Sequence, residues 1–340
     1  SQKVTRSMKI FVSGVAGFLG SHLADAFLAD GHEVVGCDNM IGGHLDNVPD
    51  RVEFHQVDCC QFETMLRLSD GCDVVYHAAA TAYEGLSVFS PHLVTRNIVD
   101  ASVALFSAAI QNQVGRIVYC SSMARYGENV TPFREDYPTQ PEDPYGIGKV
   151  AAEEILKNLC RVHGTDYVIA VPHNIIGPRQ KYDDPYRNVA AIMINLMLQG
   201  RQPIIYGDGK QMRCFSFIDD CIYCLKEMAF RDNVVGEIIN IGPDEEFVEI
   251  IGLAELIANL LSFNLNPEYY PDRPQEVKMA TCSADKARKL LGYKTAVGLK
   301  DGLQQMIDYI DKRGAVPFKY HLDLEIINDI TPKTWSERLF

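Results

Sequence analysis

Positive charge is scarce in this sequence. Its 340 residues include 32 lysines and arginines against 45 aspartates and glutamates, which gives a formal net charge of −13 at pH 7. A nucleic-acid backbone requires a basic stripe that pairs with the phosphates, and the sequence contains no such stripe. We therefore expect no nucleic-acid partner.

Long apolar runs are also lacking. A membrane-spanning helix needs about 20 consecutive apolar residues, and inspection of the sequence finds no run that approaches this length. The chain also opens without a charged segment followed by an apolar one, the pattern of a secretory leader. These absences predict a cytoplasmic protein with no membrane partner.

Cysteine is not lacking, but the ten cysteines do not form a disulfide framework. Residues such as Cys37 and Cys120 fall inside predicted strands and helices, not in a small loop-rich scaffold. Cys221 and Cys224 form a Cys-x-x-Cys pair without the second pair of ligands that a zinc site needs. Reduced, buried thiols and no metal site are therefore predicted.

A glycine motif near the start is the most informative feature that is present. Residues 10–23 read as a short buried strand, then glycines at three-residue spacing, then the first turn of an amphipathic helix. Glycine lets the backbone approach a pyrophosphate closely, and free N–H groups at the helix start then hold its charge. The predicted dinucleotide contacts in this turn are Gly14, Gly17, Phe18, Leu19 and Gly20.

A carboxylate follows at the distance that such a motif requires. Residues 33–37 read as a second strand, and Asp38 closes it eighteen residues after Gly20. A carboxylate there can accept hydrogen bonds from both adenosine ribose hydroxyls and repels a 2′-phosphate. We therefore predict NAD and not NADP; the alternative is that Asp38 is only a turn residue ahead of Asn39.

Strand-like and helix-like segments alternate over the first half of the chain. The predicted strands cover residues 9–13, 33–37, 52–56, 74–77, 116–121 and 167–172, and long helices cover residues 91–112 and 145–163. This alternation, with continuously apolar strands, predicts an α/β fold: a doubly wound parallel sheet of the Rossmann type, with ligands at the carboxyl ends of the strands.

The pattern loosens after about residue 174. Glycines and prolines punctuate it, and helical periods resume near residues 189–198, 219–230, 251–261 and 299–312. We predict an NAD-binding domain over residues 1–173 and a smaller α/β substrate-binding lobe over residues 174–340. A segment near residues 214–242 is expected to return to the first domain.

Tyr145 and Lys149 lie four residues apart at the start of a predicted helix, so they share one face. A nearby ammonium and the positive nicotinamide ring would lower the pKa of the tyrosine, which could then take a proton from a sugar hydroxyl. The alternative is an exposed helix pair. Ser121 and Ser122, which end a strand twenty-three residues earlier, favour the catalytic interpretation.

Together these motifs resemble the extended short-chain dehydrogenase/reductase family, specifically its nucleotide-sugar epimerases and dehydratases. The resemblance covers nearly the whole chain. It includes Cys-Ser-Ser-Met-Ala-Arg-Tyr-Gly at 120–127, Tyr-x-x-x-Lys at 145–149, Pro-His-Asn-Ile-Ile-Gly-Pro-Arg at 172–179, Tyr-Gly-Asp-Gly-Lys-Gln-Met-Arg at 206–213 and Asp-Arg-Pro at 272–274.

The resemblance implies a role for each matching residue. Ser122 would bond the reacting hydroxyl, Tyr145 would be the acid/base, and Lys149 would also hold the nicotinamide ribose. The remaining coenzyme contacts implied are Asp38, Asn39, Asp58, Cys59, Ala78, Ala79, Ala80, Asn97, Ser121 and Pro172. The implied substrate contacts are Ser122, Met123, Asn174, Arg179, Asn188, Val189, Tyr206, Arg213 and Arg273.

The loop after Ser122 indicates which reaction follows the shared 4-keto sugar intermediate. The resemblance implies an Asp-Glu pair there in dehydratases, a glutamate in decarboxylases and a cysteine in 3,5-epimerases. Here Met123 and Ala124 follow, and neither transfers protons. We predict C4 epimerisation of a nucleotide-linked hexose or uronic acid, with UDP favoured as the nucleotide. A dehydratase, decarboxylase or 4-keto reductase and a non-catalytic NAD-sensing protein are the alternatives.

Two further points stay open at this stage. Arg125 or Arg179 could recognise a sugar carboxylate, or each could pair with an acidic side chain. The helices at residues 91–112 and 145–163 carry apolar positions beyond one stripe, and the resemblance implies that they pair in a homodimer.

Overall fold

A seven-stranded parallel sheet forms the centre of the computed structural model, which describes residues 6–272 and 281–340. Its strands are β1 (Lys9–Ser13), β2 (Glu33–Asp38), β3 (Glu53–Gln56), β4 (Val74–His77), β5 (Arg116–Cys120), β6 (Asp166–Pro172) and β11 (Ile238–Ile241). Strands are numbered in chain order, and β7 to β10 belong to smaller sheets. They lie in the order β11-β6-β5-β4-β1-β2-β3, and every neighbouring pair is parallel. The predicted fold class is confirmed.

Helices cover both faces of this sheet. The helices are α1 (Phe18–Ala29), α2 (Phe62–Leu68), α3 (Pro91–Thr95), α4 (Ala101–Gln111), α5 (Pro144–His163), α6 (Val189–Leu198), α7 (Ile218–Glu227), α8 (Ile250–Leu261), α9 (Asp285–Leu291), α10 (Leu299–Arg313) and α11 (Lys333–Ser336). One core joins α1, α7 and α9 to the sheet, and the other joins α2, α4 and α5 to its opposite face. Continuous apolar strands such as β4 are therefore buried on both sides.

A third, smaller core lies apart from the sheet, among α6, α8 and α10. Short strand pairs accompany it: β7 (Ile175–Ile176) with β10 (Ser216–Phe217), β8 (Ile204–Tyr206) with β13 (Glu268–Tyr270), and β9 (Met212–Arg213) with β12 (Val248–Glu249). The four helical periods expected after residue 174 all occur; α6 has the predicted ends, and the ends of the other three helices differ from the prediction by at most three residues.

The chain leaves the central sheet and comes back to it. Phe217 and Cys221 pack in the same core as α1, Ile239 and Ile241 lie on β11 at the sheet edge, and Leu291 on α9 joins them. Strand β11 was not predicted as a strand, because Asn240 interrupts the short apolar run between Gly236 and Gly242.

Residues 91–111 form one continuous helical stretch in which a π-helical turn, Arg96–Asp100, joins α3 to α4. Within the described residues, this stretch alone is long and apolar enough to cross a membrane by length and composition. The sequence analysis found no apolar run of this length, because Arg96 and Asp100 interrupt the consecutive apolar residues. In the structure 56% of its most apolar window is buried, as in a core helix.

His77 ends β4 in a buried position between two serines. Its Nδ1 lies 2.7 Å from Ser13 Oγ and its Nε2 lies 3.0 Å from Ser102 Oγ. Burial lowers the pKa of His77 from 6.5 to about 3. The ring is therefore neutral in the folded protein at neutral pH.

We expect this histidine to make the protein acid-sensitive. Because the unfolded chain takes up a proton below pH 6.5 and the folded chain does not until about pH 3, the free energy of unfolding falls as the pH drops through this window. The loss from pH 7.5 to 4.5 should be about 2–3 kcal/mol larger in the wild type than in His77→Gln, whose amide does not titrate. Urea denaturation at both pH values measures this, and equal losses would contradict it.

Candidate active site

The glycine turn after β1 has a backbone that only glycine adopts easily. Gly14 has φ +71°, and its N–H donates to the Cys37 carbonyl oxygen over 2.8 Å. A Cβ on Gly14 would lie 2.8 Å from the Cα of Ala79. Gly17 caps helix α1, and no side chain caps this helix end. The turn is therefore a tightly packed backbone cradle, and the first N–H groups of α1 have no side-chain cap and are left for a ligand.

Asp38 lies at the carboxyl end of β2, beside this cradle. Its Oδ2 accepts from the Ala16 N–H over 3.1 Å, and its Oδ1 accepts from the Met40 N–H over 2.7 Å. Burial raises the pKa of the Asp38 carboxyl. Each oxygen keeps a lone pair for a further donor such as a ribose hydroxyl.

A cavity of about 250 Å³ runs along the carboxyl edge of the sheet. Every residue predicted to contact the coenzyme lines it: Gly14, Gly17, Phe18, Leu19, Gly20, Asp38, Asn39, Asp58, Cys59, Ala78, Ala79, Ala80, Asn97, Ser121, Tyr145, Lys149 and Pro172. The π-helical turn brings Asn97 to the cavity, where its Nδ2 donates to Thr81 Oγ1 over 2.8 Å. The cavity therefore has the place, the backbone cradle and the carboxylate that a dinucleotide requires.

A second cavity of about 430 Å³ adjoins the first. Six of the predicted substrate contacts line it: Met123, Asn174, Asn188, Val189, Tyr206 and Arg213. Ala82, Asn174, Arg187 and Asn188 line both cavities, so the two cavities meet there.

Three predicted substrate contacts have a different outcome. Ser122 lines neither cavity, but its hydroxyl lies beside the Tyr145 phenol and hydrogen bonds with it. Arg179 lines neither cavity, because its guanidinium pairs with Asp25 on α1 at 2.5 Å. The structure thus does not bring Arg179 to the site, and the carboxylate interpretation is withdrawn for it. Arg273 lies outside the described residues.

Arg125 is also removed from the candidates for recognising a sugar carboxylate. Its guanidinium forms a forked, buried pair with Glu153 on α5, with Nη2 to Oε1 at 2.9 Å and Nε to Oε2 at 3.0 Å. The side chains are 2% and 0% exposed, respectively. Ser121 Oγ donates to the same carboxylate over 2.6 Å. Of the two alternatives left open, pairing with an acidic side chain is the one observed.

The predicted catalytic side chains converge where β5 ends and α5 begins. Asp143 caps α5 by accepting from the Gly146 N–H over 2.7 Å, and Pro144 starts the helix. Lys149 Nζ donates to the Cys120 carbonyl oxygen over 2.8 Å and lies 5.9 Å from the centre of the Tyr145 ring. The hydroxyl of Ser122 hydrogen bonds with the Tyr145 phenol.

Burial sets the pKa values of Tyr145 and Lys149 in the protein itself. It raises the pKa of Tyr145 to about 12, although the hydrogen bond from Ser122 acts in the opposite direction. Burial also lowers the pKa of Lys149 to about 8. The predicted lowering of the tyrosine pKa relies on the ammonium together with a nicotinamide cation and stays a prediction; among the protein's own groups desolvation dominates.

Sequence reasoning missed Glu84, which faces the second cavity. The residue is exposed at the wall of this cavity, and the protein atoms that displace water from its carboxyl group, together with the nearby Asp143, raise the pKa of Glu84. This carboxyl also hydrogen bonds with Asp143, the cap of the catalytic helix. No periodicity or motif marks Glu84 in the sequence.

The tail after residue 313 was also missed as part of the site. Trp335 and Phe340 line the second cavity. Trp335 donates from Nε1 to the Pro185 carbonyl oxygen over 3.2 Å, and Thr334 hydrogen bonds with the Tyr206 hydroxyl. The single tryptophan of the chain was the one signal available for this contact.

Comparison with known proteins identifies the family. The model of the NAD dependent epimerase/dehydratase family matches residues 10–242. The chain belongs to this family. The predicted resemblance is thereby confirmed, and the predicted NAD cofactor is the one that the family's description states.

The relatives include UDP-sugar 4-epimerases, as well as a UDP-glucuronic acid decarboxylase and a GDP-mannose 3,5-epimerase. The chain is 33% identical over 312 residues to a UDP-glucose 4-epimerase of Mycolicibacterium smegmatis, covering 89% of this chain and 98% of the relative. The structure is similar to that of a Thermotoga maritima UDP-glucose 4-epimerase with UDP-glucose (TM-score 0.84, 30% identity, 90% and 99% covered). It is also similar to a Bacillus cereus UDP-glucuronic acid 4-epimerase with UDP-glucuronic acid and NAD (TM-score 0.83, 30% identity, 90% and 100% covered).

Proposed function

We propose that this protein interconverts the C4 epimers of a UDP-linked hexose or hexuronic acid. The observation that carries the proposal is the placement of Tyr145. It lines the cavity suited to NAD and packs in one cluster with Ala82, which lines both this cavity and the adjoining second cavity. The relatives that bind or act on UDP-glucose and UDP-glucuronic acid support the choice of nucleotide.

The first cavity fits NAD by its own residues. The Gly14 cradle has no room for a Cβ, and Asp38 has free lone pairs at the adjoining strand end. Bound there, NAD supplies the acceptor, and later the donor, of the sugar C4 hydride. The Tyr145 phenol must reach its anionic form to accept the 4-hydroxyl proton, which is costly at a pKa of about 12. A cationic nicotinamide ring next to Tyr145 would lower this cost.

Ser122 and Lys149 position this proton transfer. Ser122 bonds the phenol and would also bond the reacting hydroxyl. Lys149 is held by the Cys120 carbonyl oxygen, so its ammonium stays near the Tyr145 ring. Return of the hydride to the other face of C4, and of the proton to the C4 oxygen, completes the reaction. The reaction therefore needs no second substrate.

The second cavity supports the turn that the keto sugar must make. Its wall next to the reacting site is built from small residues, Ala82, Gly85 and Ala124, which leave room for the ring. Tyr206 and Arg213 line the same cavity, and we assign them to the base and the diphosphate, respectively. Binding energy from the nucleotide would hold the substrate while its sugar rotates.

Product analysis in D₂O tests the proposal. With UDP-glucose or UDP-glucuronic acid as substrate, we expect the C4 epimer without deuterium at carbon, because the C4 hydrogen travels as a hydride and returns. NMR spectroscopy of the products measures both features. A 4-keto, dehydrated or decarboxylated end product from these sugars would contradict epimerisation.

Dehydration is the second candidate, and Glu84 is the observation that favours it. Its carboxyl group has a raised pKa and lines the second cavity, so its protonated form could assist departure of water from a 4-keto sugar. Deuterium at a sugar carbon and loss of water in the same experiment would select this reaction.

We propose three further properties of the protein. The division into residues 1–173 and 174–340, with residues 214–242 returning to the first part, is consistent with the separate cores. A homodimer through residues 91–112 and 145–163 is supported by exposed Ile147 and Val162 on α5. A cytoplasmic location without membrane association agrees with the buried part of the helical stretch 91–111.

A further inference from the structure

Arg187 is a basic residue in the coenzyme cavity that sequence reasoning did not select. It lies two residues before α6, on the side of the molecule that carries the smaller core, and it lines both cavities. Among the described residues that line the coenzyme cavity, Lys149 and Arg187 are the lysines and arginines. Lys149 is already held at the Cys120 carbonyl oxygen.

The guanidinium of Arg187 reaches the loop that covers the glycine turn. Its Nη2 lies 2.8 Å from the position that a Cβ on Gly42 would take. The same loop rests on the turn, because the His44 N–H donates to the Ala16 carbonyl oxygen over 3.1 Å and Gly43 has no room for a Cβ against Ala16. Arg187 therefore reaches the place where a dinucleotide diphosphate would meet the glycine turn.

Two neighbours hold Arg187 without using all its donors. The guanidinium lies over the Tyr83 ring, 4.8 Å from its centre, and Nε is 3.6 Å from Asp184 Oδ2. Asp184 is fixed in turn by the Tyr83 hydroxyl at 2.6 Å and the Tyr186 N–H at 2.9 Å. Within the described part of the chain, the buried Nε of Arg187 makes no hydrogen bond.

The charge balance of the cavity calls for such a cation. A bound diphosphate carries two negative charges, and the carboxylates of Asp38 and Asp58 on the cavity wall add further negative charge. Backbone N–H groups at the glycine turn offset part of this charge. A guanidinium fork matches two phosphate oxygens at once, and a glycine at position 42 leaves it the space to do so.

We propose that Arg187 binds the diphosphate of the coenzyme. An arginine from the side of the smaller core thus closes over a ligand held by the larger sheet. Bound coenzyme would then order the segment that also carries Asn188 at the entrance of the second cavity.

The test is coenzyme affinity in Arg187→Gln. We expect the Kd for NAD to rise roughly 10- to 100-fold, the effect of losing a charge-assisted hydrogen bond. ADP-ribose keeps the diphosphate and lacks nicotinamide, so its Kd should rise by the same factor. Isothermal titration of coenzyme-stripped protein measures both, and the NAD content of freshly purified protein should fall in parallel. None of these readouts depends on epimerisation.

Arg313→Gln is the matched control. Arg313 also lies over a tyrosine ring, 5.5 Å from the centre of Tyr182, and it pairs with Asp46 at 2.9 Å, but it lines neither cavity. Its NAD affinity should match the wild type. The proposal is overturned if Arg187→Gln keeps wild-type NAD affinity, if it weakens only UDP binding, or if both variants lose NAD affinity equally.

Discussion

Replacing Tyr145 with phenylalanine is expected to lower kcat by about 10²- to 10⁴-fold, the contribution of a positioned acid/base. The phenol is the only hydroxyl that the variant removes, and it is the group that bonds Ser122 at the wall of the first cavity. The ring stays in place, so packing against Val94 and Ile98 in its cluster is kept. Epimerisation followed by NMR spectroscopy or by a coupled assay measures the effect.

The same variant should keep its coenzyme. The predicted coenzyme contacts are spread along the whole first cavity, so one lost hydroxyl changes NAD content little. Tyr167→Phe is the matched control, because Tyr167 lies on β6 and lines neither cavity. Wild-type turnover in Tyr145→Phe would refute the catalytic assignment. No turnover in the wild type with any UDP-sugar would favour the NAD-sensing alternative.

Breaking the buried Arg125–Glu153 pair is expected to lower the free energy of unfolding by about 3–5 kcal/mol. In Glu153→Leu, the guanidinium of Arg125 loses both carboxylate oxygens while its side chain stays only 2% exposed. Ser121 also loses its acceptor at the end of β5. Denaturant titration measures the change.

The double variant Arg125→Met with Glu153→Leu separates the pair from its surroundings. Because no charge is left uncompensated, it should recover most of the lost stability. The double variant should also keep its affinity for UDP-glucuronic acid, since Arg125 points to Glu153 and not to the sugar. A loss of that affinity alone, with stability unchanged, would restore Arg125 as a carboxylate contact.

Local patterns predicted six of the seven strands of the central sheet. Strands β1 and β4 were predicted with their observed ends, because each is a mainly apolar run between turn residues. Strand β11 was missed because Asn240 interrupts its apolar run, and the π-helical turn at Arg96–Asp100 has no local signature. Both depend on the elements that pack against them.

The coenzyme side of the site was more predictable than the substrate side. Motifs close in sequence, such as the glycine turn and Tyr145 with Lys149, have fixed spacing on one element, so their residues meet in one cavity. Arg125, by contrast, pairs with a residue 28 positions away on another helix. Arg187 and Glu84 acquire their surroundings only when distant segments pack together, and no sequence pattern records that.

The return of the chain to its first sheet restricts how this enzyme can be recombined. Two later segments of the chain share a core with α1: one carries Phe217 and Cys221, and the other carries Leu291. A chimaera that exchanges the specificity-conferring part with a relative by one junction near residue 174 would replace these core residues too. Transplanting that part without disturbing the sheet requires separate junctions on either side of residues 216–241 and of α9.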